Sequence, residues 1–375
     1  MTTKVLVVMG TRPEAIKLAP VIRALQQRAG EIEYAVCVTG QHREMLDQVL
    51  RLFEIVPEHD LDVMEPDQTL AGLTARLLER LDRLVLETRP DWILAQGDTT
   101  SVLAASLVAF YRRLRFGHVE AGLRTGDLQR PFPEEANRRI ADLLATAYFA
   151  PTERARRTLL AEGVTDGSIW MTGNTVVDAL LEIAGREYRW DDGPLAVVPT
   201  DARLVLVTAH RRESFGQPFR DLCLAIRDLA VRFADQRLHV VYPVHLNPNV
   251  QRPVHELLSG VPNVTLLPPL DYLSLVQLMK RATLILTDSG GIQEEAPTFG
   301  VPTLVMRETT ERPEAVEVGV ARLVGTARKR IVHEATTLLT DPVAQARIRL
   351  ATNPYGDGRA GERIVKVLLA QTLDH

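Results

Sequence analysis

Only two cysteines occur in the 375 residues, Cys37 and Cys223, far apart and each inside an apolar run. That excludes a disulfide-stapled scaffold and reads as two buried thiols in a reducing cytoplasm. An excess of one charge is also missing. The 44 Lys and Arg against 48 Asp and Glu leave a net charge of -4, which provides no electrostatic footprint for nucleic acid. No apolar run reaches bilayer-spanning length, so membrane insertion is not expected. Lys4 followed by Val5-Leu6-Val7-Val8-Met9 resembles a signal peptide only superficially. Gly10-Thr11-Arg12-Pro13-Glu14 comes next with no small-residue cleavage site, so a first β-strand is the better reading. Metal-ligand patterns are lacking too. His118 and Glu120 form an H-x-E without a following P-C-x-x-C, no H-E-x-x-H is present, and the nine histidines are scattered, so no metal is expected. The turn after the first strand is neither G-x-G-x-x-G nor a Walker loop, which argues against NAD and against an NTP P-loop.

What is present is an ordinary globular composition, 46% hydrophobic and 25% charged, in a chain long enough for about two domains. Short apolar runs alternate with helical-period segments from end to end, the signature of parallel α/β sheets. In the first half strands are expected at Lys4–Met9, Glu33–Val38, Asp91–Ala95, Phe116–Val119, Tyr148–Ala150 and Ser168–Met171. The rhythm breaks at Gly185–Thr200, where Gly, Pro and paired acids read as the end of an interdomain connection. It then restarts, with strands expected at Leu204–Thr208, His239–Tyr242, Val264–Leu267, Thr283–Thr287, Pro302–Val305 and Ala321–Val324. Two doubly wound Rossmann-like halves are expected, with a ligand cleft where the carboxyl ends of the two sheets face each other.

Residues just after strands are therefore the ones to weigh. Asp288-Ser289-Gly290-Gly291 leads from a strand into a helix; its amides and dipole suit a diphosphate, while a capping serine with glycines relieving a tight turn is the plain alternative. Glu295 could accept from ribose hydroxyls or be a solvated first-turn acid. Arg12 and Lys17 place two cations at a helix start after strand one, as an anion site or as surface charge. Asp98 and Glu120 follow successive strands, Glu134 and Glu135 open a helix after Pro131-Phe132-Pro133, and the three positions Asp98, Glu120 and Glu134 converge on the carboxyl edge of one sheet. Asp98 has a capping explanation and Glu134 a dipole one, a carboxylate at Glu120 is harder to explain as structure, and proton chemistry needs more than one positioned acid or base. His210, beside Arg211 and Arg212, is a candidate for a leaving-group contact. His245 sits in a proline-rigidified loop, and Arg312 in a polar loop after a strand.

In order, GTRPEAIKLAP at 10–20, QGDTTSVLA at 96–104, GHVEAGLRTGD at 117–127, PEEANRR at 133–139, HRRESFG at 210–216, YPVHLNPNV at 242–250 and LTDSGGIQEEAP at 286–297 resemble the non-hydrolysing UDP-N-acetylglucosamine 2-epimerase family. The similarity spans nearly the whole chain. It implies a glycosyltransferase-B-like pair of domains, 1–172 and 173–360, with a last helix at about 361–375 packing back on the first. It also implies interconversion of UDP-GlcNAc and UDP-ManNAc through elimination and re-addition of UDP, no cofactor, and a homodimer. By position, Asp98, Glu120, Glu134 and His210 resemble the family's catalytic set. Arg12, Lys17, Ser289, Gly290, Gly291, Glu295 and Arg312 resemble its UDP-binding set. Gln41, Arg211 and His245 match a second, activating UDP-GlcNAc site, although Glu44 replaces a glutamine there. Leu270 and Leu275 stand where some relatives place a glutamine and an aromatic residue near the uracil. A retaining glycosyltransferase, a hydrolysing epimerase and a non-catalytic nucleotide-sugar sensor are the competing readings.

Overall fold

The computed structural model of the protein describes residues 2–40, 43–65 and 67–373. The first stretch runs β1 (Thr3–Met9), α1 (Arg12–Gln26), β2 (Ile32–Val38), α2 (Arg43–Leu52), β3 (His59–Asp60), α3 (Leu70–Thr88) and β4 (Trp92–Gln96). It continues with α4 (Thr100–Arg112), β5 (Arg115–Val119), α5 (Glu134–Leu144), β6 (Ala147–Ala150), α6 (Glu153–Ala161), β7 (Ile169–Met171) and α7 (Thr175–Ala184). All seven strands are parallel, in the order β3-β2-β1-β4-β5-β6-β7.

The helices cover this sheet because their apolar residues recur at helical spacing. On α3, Leu73, Leu77, Leu81 and Leu84 form one buried stripe. It packs in one core cluster with Val102, Ala105, Val108 and Ala109 of α4, whose small side chains let the two helices approach. Thr69 accepts from Gly72 N at 3.1 Å to start α3, and Arg89 ends it in the left-handed region at φ 47. Gly122, after β5, has φ +88, and a Cβ there would lie 2.4 Å from the Ala155 carbonyl oxygen; nothing larger than glycine fits.

The second stretch repeats the plan: β8 (Arg203–Thr208), α8 (Gln217–Arg232), β9 (Leu238–Pro243), α9 (Pro248–Leu258), β10 (Val264–Leu267), α10 (Tyr272–Arg281) and β11 (Ala282–Thr287). Then come α11 (Gly290–Glu295), β12 (Thr303–Val305), α12 (Pro313–Glu317), β13 (Ala321–Leu323), α13 (Arg328–Thr340) and α14 (Pro342–Arg349). Its six parallel strands are ordered β10-β9-β8-β11-β12-β13. Both sheets are doubly wound, the Rossmann-like α/β class expected from the alternation.

The chain packs as two units, residues up to Ala179 with those from Tyr355 onward, and Leu180–Pro354. The returning helix α15 (Ala360–Leu373) lies on α1 so closely that a Cβ on Gly361 would stand 2.7 Å from the Pro20 carbonyl oxygen. Asp178 on α7 accepts from Gly361 N at 2.8 Å, and Asn174 N donates to Tyr355 O at 2.7 Å.

The stretch Gly185–Thr200 is not the end of a connection; it is part of the second unit. Tyr188 donates to Ser274 at 3.1 Å, Arg281 lies 4.6 Å over the Trp190 ring, and Leu195 and Val198 are buried. Aromatic and aliphatic anchors outweigh the Gly, Pro and acidic residues that suggest a linker. The two-residue edge strand β3 and the short helices α12 and α14 also lie outside what the sequence pattern predicts. Among the described residues no helix is long and apolar enough to cross a membrane.

Candidate functional site

In each sheet the strand order reverses beside its first strand, so the loops after two adjacent strands diverge and leave a crevice at their carboxyl ends. In the first unit those strands are β1 and β4. Glu14, 2% exposed in the first turn of α1, joins their loops. Its Oε2 accepts from Gly10 N and Thr11 N, both at 2.7 Å, and from the Thr11 hydroxyl at 2.9 Å. Its Oε1 accepts from the Thr99 hydroxyl at 2.6 Å, beside Asp98. Burial pushes the Glu14 carboxyl up against these four donors. Arg12 and Asp98 thus stand on loops tied by one side chain.

Glu120 follows β5 at φ 70, a left-handed conformation that costs a glutamate about 1 kcal/mol or more. The Lys17 ammonium donates to both its oxygens, at 2.7 and 2.8 Å, and Gln96 Nε2 and Asn174 Nδ2 also reach it. Lys17, expected among the anion binders, is therefore engaged by Glu120 here. Asp98 pairs with Arg138, and Asn137 Nδ2 donates to its backbone carbonyl at 2.9 Å. Glu134 opens α5 one turn before these two residues, on the same helix face. Its Oε2 is buried and has no hydrogen-bond partner.

Beneath this edge His118 offers both ring nitrogens to acceptors: Nδ1 to Asp142 Oδ1 at 2.6 Å and Nε2 to the Gly97 carbonyl at 2.7 Å. Two acceptors require two ring protons, so the geometry suits the imidazolium. Burial opposes that charge, but Asp142 and the Gly97 carbonyl outweigh it and raise the His118 pKa. Asp142 is held below the ordinary aspartate value: burial opposes, and His118 and Arg124 prevail. The histidine of the H-x-E pair is thus a buried support for the Gly97–Asp98 turn, while Glu120 is held by Lys17, Gln96 and Asn174. Among the described residues no His, Cys, Asp and Glu cluster could hold a metal.

In the second unit the crevice lies between the loops after β8 and β11. Asp288, fully buried, accepts from His210 N and Arg211 N through Oδ2, each at 2.8 Å. The His210 ring stacks on His245, centroids 5.1 Å apart and planes 14° from parallel. Burial lowers the His210 pKa, Asp288 opposes, and His245 and Arg211 reinforce it. The Ser289 side chain makes no capping bond. Gly290 and Gly291 have no positive φ, and Cβ atoms on them would meet only Arg211 Nη2 at 3.6 Å and Ser289 Oγ at 3.8 Å. The turn itself does not need glycine at either position, so the tight-turn explanation fails.

Arg312 is held against this short helix by Glu294, and its backbone N–H donates to Thr310 Oγ1 at 3.0 Å. Glu295 is buried, accepting from the Tyr272 hydroxyl at 3.2 Å, which rules out a solvated acid. Leu270 is buried and Leu275 half-buried. Arg211 and His245, expected at a second nucleotide-sugar site, both lie at the His210 turn, and Gln41 lies outside the described residues.

Sequence reasoning passes over three supporting groups. Glu14 has a signal, since Thr11-Arg12-Pro13-Glu14 is a capping-box pattern. Gln96 has only its place at a strand end. Asp142 stands 24 residues from His118, and no motif joins them.

The family model described as UDP-N-acetylglucosamine 2-epimerase matches residues 23–369. The chain is 54% identical over 371 residues to the UDP-N-acetylglucosamine 2-epimerase of Escherichia coli K12, covering 97% of this chain and 98% of that one. A crystal structure of a putative UDP-N-acetylglucosamine 2-epimerase from Listeria monocytogenes superposes with TM-score 0.93 at 41% identity, over 100% of this chain and 98% of that one. That of the Neisseria meningitidis UDP-GlcNAc 2-epimerase bound to UDP-GlcNAc gives TM-score 0.88 at 45% identity, over 98% and 100% of the two chains. With near-complete coverage on both sides, the glycosyltransferase-B-like fold and the isomerase class follow, and this chain belongs to the UDP-N-acetylglucosamine 2-epimerase family.

Proposed function

We propose that the protein interconverts UDP-GlcNAc and UDP-ManNAc by eliminating UDP to give 2-acetamidoglucal and adding the same UDP back. The C2 proton has no adjacent carbonyl, so a carboxylate removes it at a useful rate only as the C1–O bond breaks and C1 gains oxocarbenium character. That chemistry needs acid/base groups for the two faces of C2 and a firmly held diphosphate. Asp98 and Glu134 are the groups for proton removal and return, with Glu120 orienting or sharing a proton. His210, Arg12, Lys17, Ser289, Gly290, Gly291, Glu295 and Arg312 bind the UDP portion.

The observation that carries this reading is Glu134 Oε2, buried without a partner on the α5 face whose Asn137 and Arg138 both bond Asp98. A buried acceptor left unsatisfied costs about 1–3 kcal/mol, a cost that makes sense where a proton or substrate hydrogen arrives in turnover. Incubation with UDP-GlcNAc in D2O, followed by NMR, tests the whole scheme. Deuterated UDP-ManNAc is expected; free ManNAc would mean hydrolysis, and an unchanged sugar would sink the reading. With Asp98→Asn and Glu134→Gln made singly, deuterium uptake at C2 at the native rate in both would overturn the division of roles.

Arg211 and His245 are also proposed to serve an activating second UDP-GlcNAc; a sigmoidal rate curve supports that and a hyperbolic one opposes it. Burial raises both thiols to about 12, which suits a reducing cytoplasm. The family resemblance points to a homodimer, which light scattering would check.

A further inference from the structure

We propose that Asp288 is a positioning residue for His210: its unused carboxylate oxygen receives the Nδ1–H of the imidazole and leaves Nε2–H for the departing diphosphate. This rests on the elimination reading above, in which the diphosphate leaves C1.

Three observations lead to it. Asp288 Oδ2 is fully occupied by the amides of His210 and Arg211, so the carboxylate already grips the loop that carries the ring. Asp288 Oδ1 is buried and has no hydrogen-bond partner. His210 Nδ1 is 3.8 Å from it, so a ring adjustment of about 1 Å brings the two within bonding distance. A carboxylate placed this way selects one tautomer and stabilises the ring once it is charged.

The groups facing His210 say when the charge appears. His245 stacks on it from the loop after β9, Arg211 follows it in its own turn, and Asp288 stands at the end of β11. His245 Nδ1 accepts from Asn247 N at 3.1 Å, which turns the Nδ1 edge of that ring toward its own loop. Burial, with His245 and Arg211, depresses the His210 pKa against the pull of Asp288. The ring is therefore neutral near pH 7 before a ligand arrives, with its proton on Nδ1 beside Asp288. A bound diphosphate adds negative charge on the Nε2 side and offsets Arg211, so the ring takes a second proton from solvent. The resulting imidazolium donates from Nδ1 to Asp288 and from Nε2 to the diphosphate oxygen that leaves C1. No covalent step is added; the ring stabilises developing negative charge.

The test uses the full-length protein with 15N-labelled histidine, two-bond 1H–15N spectra from pH 5 to 9 with and without UDP, and His210→Gln to assign the signal. The neutral His210 ring should carry its proton on Nδ1, and UDP should raise its pKa by about one unit or more. Asp288→Asn should move the neutral proton to Nε2 and lower the pKa by a similar amount. It should also cut kcat about tenfold or more with KM changed less than threefold, and shift the alkaline fall of kcat to lower pH. In a His210→Gln background Asp288→Asn should add less than a twofold further loss, whereas losses that multiply would overturn the proposal. An Nε2–H tautomer in the wild-type protein would overturn it as well, and that measurement stands even if Asp288→Asn does not fold. Should the tautomer and the UDP response be as expected while no epimerisation occurs, the pair stands and the elimination reading falls. Should epimerisation proceed with an Nε2–H tautomer, the elimination reading stands and the pair falls.

Discussion

The crevices of the two units are built on the same device, used in different degrees. In each, one buried carboxylate ties the loop after the first strand of the sheet to the loop after its neighbour: Glu14 in the first unit, Asp288 in the second. Glu14 has every oxygen bonded to Gly10, Thr11 or Thr99. Asp288 bonds two amides with one oxygen and leaves the other without a donor. The first unit also neutralises many of its charges internally, with Lys17 on Glu120, Arg138 on Asp98 and Arg124 on Asp142. The second keeps a serine side chain free of capping and two glycines over an open turn. A carboxylate with all its bonds made is a fastener; one with an oxygen in reserve can respond to what binds.

The sharpest way to break the comparison is at the Lys17–Glu120 pair, 2.7 Å apart and nearly buried. Lys17→Met leaves Glu120 with an uncompensated charge, and kcat for epimerisation should fall about a thousandfold, ~4 kcal/mol, in a steady-state assay. Next comes the fastener itself. Glu14→Gln replaces an oxygen that accepts by an amide that donates, and should cost the fold about 2–3 kcal/mol by urea denaturation. If Asp288→Asn costs as much stability as Glu14→Gln, the contrast between the two carboxylates fails. A smaller effect is expected at the open turn. Gly290→Ala has room for its Cβ, 3.6 Å from Arg211 Nη2, so stability should change by less than about 0.5 kcal/mol. UDP affinity by calorimetry should nonetheless drop about tenfold, ~1.4 kcal/mol; unchanged affinity would show that the glycine serves something else.

The least effect belongs to Asp178, which burial raises from an ordinary 3.8 to about 6 despite the Gly361 amide. A raised folded-state value means the protonated carboxyl favours the folded form. Its stability contribution is full below pH 4 and is lost as pH rises through 6. Asp178→Asn should therefore gain about 1 kcal/mol over wild type at pH 8, with the advantage gone at pH 4, as read from Tm. An equal gain at both pH values would discount the titration.

Much of this is legible in the chain because parallel strands buried on both faces read as compact apolar runs. The buried strand expected at Thr283–Thr287 is placed to within one residue, and the edge strand Val264–Leu267 and the helix Tyr272–Arg281 to the residue. The two-residue strand His59–Asp60 has no such run and is not visible. The stretch Gly185–Thr200 misleads because turn-forming composition hides Tyr188, Trp190 and Leu195, whose partners are distant in sequence. At the site, strand ends point to Asp98, Glu120 and His210, since sheet topology dictates where loops gather. The supporting network is harder to see. That Lys17 holds Glu120 depends on side chains 103 residues apart meeting across the sheet edge, which no local pattern encodes.

The contact of Gly361 with Pro20 has a consequence for how the molecule is made. The second unit is inserted within the first, so helix α15 emerges during synthesis only after the whole of Leu180–Pro354. Until then the α1 surface around Pro20 lacks its cover, and Asp178 lacks the Gly361 amide. A nascent chain can fold its later unit while the earlier one waits, and a chain cut short before residue 355 displays that bare face to the cell's proteases.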